Sequence, residues 1–307
     1  MPKKGIEEIR ERMLKSAKAG ITSAYQSEEY ALIQAVNAYM ETGRSYNLAY
    51  ERLSEWYGIY YPEIRISSPE SLAKLTIAMS TQGGDVASIE KALGDAAKAE
   101  EVQKKAANTI GRKMEGEEAE AVTGFANQIL STAKALDDLD KYIKSAAKRI
   151  MPNTTYLTDH MIAAELLGKA GSMERLATMP AGTVQLLGAE KALFKHIKFG
   201  SRPPKYGILF KLPDITNSQR EIRGKIARAY ATKICIALKA DYFSKNFIAE
   251  GLKKSLSESI KRIKEKPITP KKEMPGRDFD RGFQGRMPDQ RGSRRRRGGW
   301  RQEYRKK

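Results

Sequence analysis

The sequence predicts an all-α protein: a long antiparallel helical hairpin, then a compact cluster of shorter helices, then a disordered basic tail. Three observations predict it. Apolar residues recur at spacings of three and four through most of the chain, while a single stretch, "YGILFKL" (206–212), alternates as a strand would. Glycines and prolines punctuate these runs at intervals that suit helices. From about Lys266 the chain turns to Arg, Gly and Pro and loses all periodicity.

The elements follow in order. Residues 1–26 read as a helical extension with Ile6, Ile9, Met13 and Ala17 on one face. A second helix over 27–41 carries Leu32, Ile33, Val36 and Met40 as its stripe. An aromatic-rich helix follows in 47–64 and should stop before Pro62, because the residue before a proline is pushed out of the helical region. Its Trp56, Tyr57, Tyr60 and Tyr61 read as a packing knot rather than a ligand box. Ser68, Pro69 and Glu70 form a helix-start signature. After Gly83-Gly84, Asp85 can cap a helix reaching about Ile110, with Ile89, Leu93 and Val102 on its apolar side. Beyond the break from Gly111 to Gly116 lies the longest helical pattern, Glu117 to Ile150. Its seam is Phe125, Ile129, Ala133, Leu136, Leu139, Ile143, Ala146 and Ile150. A long helix with a narrow seam needs a partner. The preceding helix, folded back, would make residues 85–150 a hairpin with its tip near Gly111; an ordinary bundle helix is the alternative.

Pro152 opens the next unit, 151–265, a cluster of shorter helices. Gly168 and Gly171 end one, "MPAGTVQLLGAEKALFKHI" supplies another, and "NSQREIRGKIARAYATKICIALKADYF" a third. The tail, 266–307, cannot bury enough apolar surface to offset its ordering entropy and should be disordered.

Charge is segregated along the chain. The formal net charge of +19 divides into −1 for residues 1–150, +10 for 151–265 and +10 for 266–307. The first half is balanced; the second will collect polyanions. The single cysteine, Cys235, excludes an intramolecular disulfide. The charged N-terminus lacks a signal-peptide core, and no run approaches the length of a membrane span, so a soluble intracellular protein is expected.

Little speaks for catalysis. His160 and His196 lie far apart and form no metal-ligand spacing with Cys235. There is no phosphate-binding or dinucleotide glycine motif, and Ser201 sits in no nucleophile elbow. No cofactor, metal or membrane is expected, and no enzymatic activity. Cys235, between Ile234 and Ile236, reads as a packing residue.

The basic half offers more. In "GAEKALFKHIKFGSRPPKYG" (188–207), Lys191, Lys195, His196 and Lys198 run into a turn bearing Arg202, Lys205 and Tyr206. Pro203-Pro204 stiffens that turn, while Gly188, Gly200 and Gly207 permit close or unusual backbone. On a following helix, Lys225, Arg228, Thr232, Cys235 and Lys239 share one face. Two basic elements without a neutralising acidic run point to a phosphate-binding surface, and a rigid loop flanked by cations suits a folded RNA backbone. In the tail, Arg-Gly runs interleaved with Phe279, Phe283, Trp300 and Tyr304 suit looser binding and stacking.

At these residues the chain resembles a known family. "GAEKALFKHIKFGSRPPKYGIL" is similar to the signature of the Nop domain of box C/D ribonucleoproteins. The likeness extends through "MPNTTYLTDHMIAAELLGKAGSMERLATMPAGTVQLL", "RGKIARAYATKICIALKADYF" and "LIQAVNAYMETGRSYNLAYERLSEWYGIYYPEI", covering about 27–265. The resemblance implies a coiled-coil dimerisation region (27–150) followed by a Nop domain (151–265). It implies a homodimer, a box C/D-type guide RNA, and a kink-turn-binding ribosomal-type protein as partners. It also implies a scaffold role in RNA-guided 2′-O-methylation. Carried over by position, Gly188, Ala189, Glu190 and Phe194 face the composite RNA–protein surface, with Lys191 and Lys195 beside them. Lys198, Arg202, Lys205, Arg223, Lys225 and Arg228 lie in the matching basic surface. The family usually has Arg where this chain has Lys195, so a phosphate contact survives but a bidentate one does not.

One departure concerns fibrillarin, the methyltransferase. Family members carry an N-terminal domain that binds it, and residues 1–26 are too few to make that domain. Another chain supplies the contact, or the gene is split or truncated, or the enzyme is not recruited. The modest length and short tail resemble the archaeal type, which places the protein in a cytoplasm. The rival reading is a coiled-coil assembly protein whose basic half binds RNA loosely.

Overall fold

A computed structural model describes residues 3–81 and 84–265, and within these there is no strand. The expected tail, 266–307, lies outside the described residues. The chain begins with α1 (Lys3–Tyr25), whose Ile6, Ile9 and Met13 are exposed. Then come α2 (Glu28–Tyr60), α3 (Pro69–Thr81), α4 (Val86–Leu93), α5 (Ala96–Ala107) and α6 (Gly116–Ile150).

The two runs expected at 27–41 and 47–64 are one helix, α2. Gly43 is the sole helix-breaker between them, and a glycine costs only about 1 kcal/mol against alanine. Packing on α6 outweighs that cost. Ser27 caps the start by accepting from the Glu29 N–H, and Tyr61, before Pro62, ends it. The helix expected from Asp85 to Ile110 is instead two. Gly94 turns left-handed (φ 72°) and Asp95 caps α5 by accepting from the Ala97 and Lys98 N–H groups.

The hairpin is real, but its arms differ from those expected. α6 packs chiefly against α2 and α3 rather than against α4 and α5, which pack on each other, with α4 also on α3. α2 and α6 run antiparallel: Glu28 pairs with Arg149 at one end (3.2 Å), and the Tyr60 hydroxyl meets Glu118 at the other (3.3 Å). The break at Gly94-Asp95 leaves neither half long enough to match the seam of α6. The turn before α6 does sit at the tip. The Arg112 N–H donates to the Ile59 carbonyl, and a Cβ on Gly111 would lie 2.1 Å from the Tyr60 carbonyl oxygen.

After α6 come α7 (Pro152–Leu157), α8 (His160–Ala170), α9 (Met173–Thr178), α10 (Ala181–Leu186), α11 (Glu190–Phe199), α12 (Pro213–Thr216), α13 (Arg223–Lys239) and α14 (Ala249–Glu265). The strand-like run at 206–212 is a 3-10 turn, Ile208–Lys211, which buries Ile208 and Leu209. Its alternation reflected a short apolar plug, not a sheet. Gly171 ends α8 in the left-handed region, whereas Gly168 lies inside it. A Cβ there would press on Val36 at 3.0 Å, so Gly168 lets α8 lie close on α2.

Two apolar cores result. The distal one joins Leu53, Tyr57, Tyr60, Leu72, Leu75, Val122 and Ile129, and the expected aromatic knot belongs to it. The proximal one gathers the helices after residue 151 but also takes in Leu32, Ile33 and Val36 of α2 and Ile143 of α6. The hairpin is therefore rooted in the second unit. His160 adds a polar tie: its ring nitrogens lie 2.9 Å from Asp140 on α6 and 2.8 Å from Asp159.

Candidate nucleic-acid interface

The site grows from a loop closed at its neck. The Gly207 N–H donates to the Gln185 carbonyl (3.0 Å), the Ile208 N–H to the Leu187 carbonyl (2.8 Å), and Gln185 Nε2 to the Lys205 carbonyl (2.6 Å). Only glycine fits at 207, since a Cβ would sit 1.9 Å from the Leu187 carbonyl oxygen. Gly188 turns at φ 88° with Ile208 against it, splitting the single run expected over 179–197 into α10 and α11. At the far end of α11, Gly200 caps in the left-handed region and His196 Nδ1 meets the Ser201 carbonyl. His196 thus spends one ring nitrogen on shaping the turn.

α11 stands away from the body and buries none of its side chains. Lys191 and Lys195 are exposed on it, as is Phe194. Lys198 Nζ lies 5.6 Å from the Phe194 ring and 5.4 Å from that of Phe199, so its charge sits between two exposed aromatics. The start of the helix is held by Glu190, whose Oε1 accepts from the Gly188 N–H at 2.6 Å. That bond gives Glu190 a structural task within the motif, while Ala189 is a cap without a side-chain bond.

The second basic element meets the first. The aliphatic stem of Lys205 rests on Gly224, 3.4 Å from where a Cβ would be, so the 200–207 loop abuts the start of α13. Lys225 and Arg228 are exposed there. Arg223 is half-buried and directed inward. It donates to the Thr216 and Ser218 carbonyls (2.9 Å each) and lies over Phe210, which stacks on Tyr206 at 4.7 Å. Its guanidinium therefore holds the α12 end in place, which leaves it fewer donors for a phosphate. Further along α13, Cys235 is half-buried against the Met179 carbonyl, and burial pushes its thiol pKa up.

Ion pairing follows the charge segregation. In the first half, Arg52, Lys74, Lys98, Lys105, Arg112, Lys141 and Arg149 each have a carboxylate partner. Among the described residues of 151–265, Lys211 with the buried Glu165 is the one Lys or Arg pair. Lys191, Lys195, Lys198, Arg202, Lys205, Lys225 and Arg228 form no ion pair with a described residue. A connected set of exposed, un-neutralised cations on a closed loop and two helix ends can displace counterions from a shaped phosphate backbone. Sequence reading missed Gln185, the Tyr206–Phe210 stack and Gly224, because each acts through a contact distant in sequence. Among the described residues no group of three His, Cys, Asp or Glu could hold a metal ion.

Comparison with known proteins bears on the same region. The model of the Nop family, described as "snoRNA binding domain, fibrillarin", matches residues 39–264. A NOP5 family protein of Methanocaldococcus jannaschii is 35% identical over 248 residues, covering 80% of this chain and 60% of that protein. Nucleolar protein 58 of Debaryomyces hansenii is 32% identical over 214 residues, covering 68% of this chain and 41% of that protein. The chain thus spans about 41% to 60% of the length of these relatives. A chain from a crystal structure of a fibrillarin/Nop5p complex aligns with a TM-score of 0.49 at 24% identity, over 86% of this chain and 80% of that one.

Proposed function

The chain belongs to the Nop family, and on that premise we propose that it is a non-catalytic RNA-binding scaffold of a box C/D-type particle for RNA-guided 2′-O-methylation. The observation that carries this reading is the cation set of α11, the 200–207 loop and the start of α13, exposed and without carboxylate partners. In this reading Lys191, Lys195, Lys198, Arg202, Lys205, Lys225 and Arg228 contact the phosphates of a kink-turn RNA. Gly188, Ala189, Glu190 and Phe194 face the composite surface made by that RNA and its ribosomal-type protein. Residues 27–150 form the dimerisation region and 151–265 the clamp. Exposed Ile59 and Ile110 at the hairpin tip support a homodimer there. Fibrillarin, named in the family description, is the methyltransferase such a particle would hold. No helix among the described residues is long and apolar enough to cross a membrane, and a cytoplasmic particle is the setting we propose.

The test is a gel-shift titration with a kink-turn RNA, naked and pre-bound by its kink-turn protein, beside a scrambled RNA. A supershift confined to the preformed complex is the expected result. Equal, salt-sensitive binding to all three would replace this reading with that of a coiled-coil assembly protein with nonspecific RNA affinity.

A further inference from the structure

A second exposed feature lies at the other end of α13. The chain leaves that helix through a π-turn, Ala240–Ser244, and passes Lys245 in the left-handed region (φ 54°) before α14. This irregular segment is fixed by a buried polar network. Asp241, 6% exposed, accepts from the Asn153 and Thr154 N–H groups (2.9 and 3.0 Å), from Asn153 Nδ2 (2.8 Å) and from the Thr154 hydroxyl (2.7 Å). Asn153 in turn donates to the Asn246 carbonyl (2.9 Å) and accepts from the Ile248 N–H (2.7 Å).

That rigid backbone carries aromatic rings outward. Phe243 is 64% and Phe247 55% exposed, and Tyr156 on α7 is 43% exposed. Phe247 meets Tyr156 edge-on at 5.6 Å, and Tyr242 meets Phe243 edge-on at 4.9 Å. Lys253 Nζ lies 4.7 Å from the centre of the Tyr156 ring. Lys245 and Lys253 are exposed and form no ion pair with a described residue. Buried hydrogen bonds that hold rings in solvent beside unpaired ammonium groups do not serve a core.

We propose that Tyr156, Phe243 and Phe247, flanked by Lys245 and Lys253, form a stacking platform for unpaired nucleotides of the bound RNA. Rings supply faces for bases whatever their sequence, and the lysines supply the phosphate charge. The surplus of cations through 151–265 favours a polyanion over an apolar segment, and the exposed ring faces favour one that carries bases, RNA, over an acidic peptide. α13 sets the geometry. Its 16 steps from Arg223 to Lys239 place the platform about 24 Å from the 200–207 loop, with Lys225, Arg228 and Lys239 exposed between them. This inference rests on the RNA-binding reading above and extends it. The folded element sits at the loop, and a single-stranded flank runs along α13 to the rings.

The experiment compares a trimmed kink-turn RNA with versions carrying about eight unpaired uridines at either end, a length within the site size of single-strand binders. The full chain should bind one extended RNA about tenfold more tightly than the trimmed one. F243A/F247A should lose that gain and keep the affinity for the trimmed RNA, with its tail intact as an internal control. Should that variant melt early, K245E/K253E, which alters only exposed groups, replaces it with the same expected loss. No gain from either extension, or a gain that survives both variants, overturns the platform and leaves the rings to a protein partner. Failure of the scaffold reading shows separately, as absent binding of the trimmed RNA. Photo-crosslinking of free 4-thiouridine oligonucleotide then decides: adducts on Tyr156, Phe243 or Phe247 retain the platform, and their absence removes it.

Discussion

At Gly207 the backbone passes so close to Leu187 that a single methyl group has nowhere to go. Gly207→Ala should therefore open the neck of the basic loop, costing about 1–3 kcal/mol as overpacking does. Thermal melting checks the stability loss, and RNA affinity should fall with it even though no charge is removed. The same substitution at Gly182, where a Cβ meets nothing within 4 Å, should leave melting within error of the parent. Sequence reading marked Gly207 as permissive, yet only the folded chain shows that its neighbour is the Leu187 carbonyl twenty positions upstream. Asp241 makes the point more sharply. It stands in a run read simply as the end of a helix, and its partners Asn153 and Thr154 lie 88 and 87 positions away. No local pattern encodes a carboxylate that caps a distant helix start.

Periodicity at the level of elements revealed the seam of α6 and its demand for a partner, but not which partner. A stripe of Ile129, Ile143 and Ala146 fits any apolar face of suitable length. The choice fell to α2 because Gly94 and Asp95 divide the helix that stood nearer in sequence. The tip is then stitched by polar groups. Glu63 accepts from the Ile110 N–H (2.9 Å) and the Thr109 hydroxyl (2.8 Å), and these two bonds hold its carboxyl below the usual carboxylate range. A depressed folded-state pKa means the stitch is fully present above the unfolded carboxyl value, about 4.3, and is lost as pH falls through the lower folded value. An NMR titration of the Ile110 amide should report a midpoint below the ordinary glutamate range; an ordinary midpoint would mean that the stitch is not formed in solution. Beside it, Ile110 stands 90% exposed. If the tip dimerises, Ile110→Glu should weaken self-association about tenfold or more in sedimentation equilibrium while leaving the Glu63 titration in place.

Across the whole molecule, charge and architecture divide the chain in different places. The cores meet along α2 and α6, so the balanced hairpin is structurally continuous with the basic cluster at its root. The surplus of cations nevertheless begins only after residue 150, and among the described residues there the one Lys or Arg ion pair is Lys211 with Glu165. This much was legible in composition alone, because net charge needs no knowledge of contacts. That α11 stands free of the body was not legible, since its Leu193, Phe194 and Ile197 look like a packing face until the fold leaves Phe194 and Ile197 in solvent. A free-standing basic helix has a measurable signature. Each phosphate neutralised makes the slope of log K against log salt more negative, by about 0.7 on single strands and about 0.9 on a B-form duplex. Lys191→Ala with Lys195→Ala should therefore make the slope for a kink-turn RNA shallower by about 1.5–2, along with a loss of affinity that shrinks as salt rises. Arg223→Ala should behave differently. Its guanidinium is committed to the Thr216 and Ser218 carbonyls, so its removal should lower the melting temperature and leave the slope near the parent value. Titrations between about 50 and 200 mM salt separate the two cases. A parental slope in the double lysine variant would remove α11 from the phosphate contacts, and with it the central element of the proposed clamp.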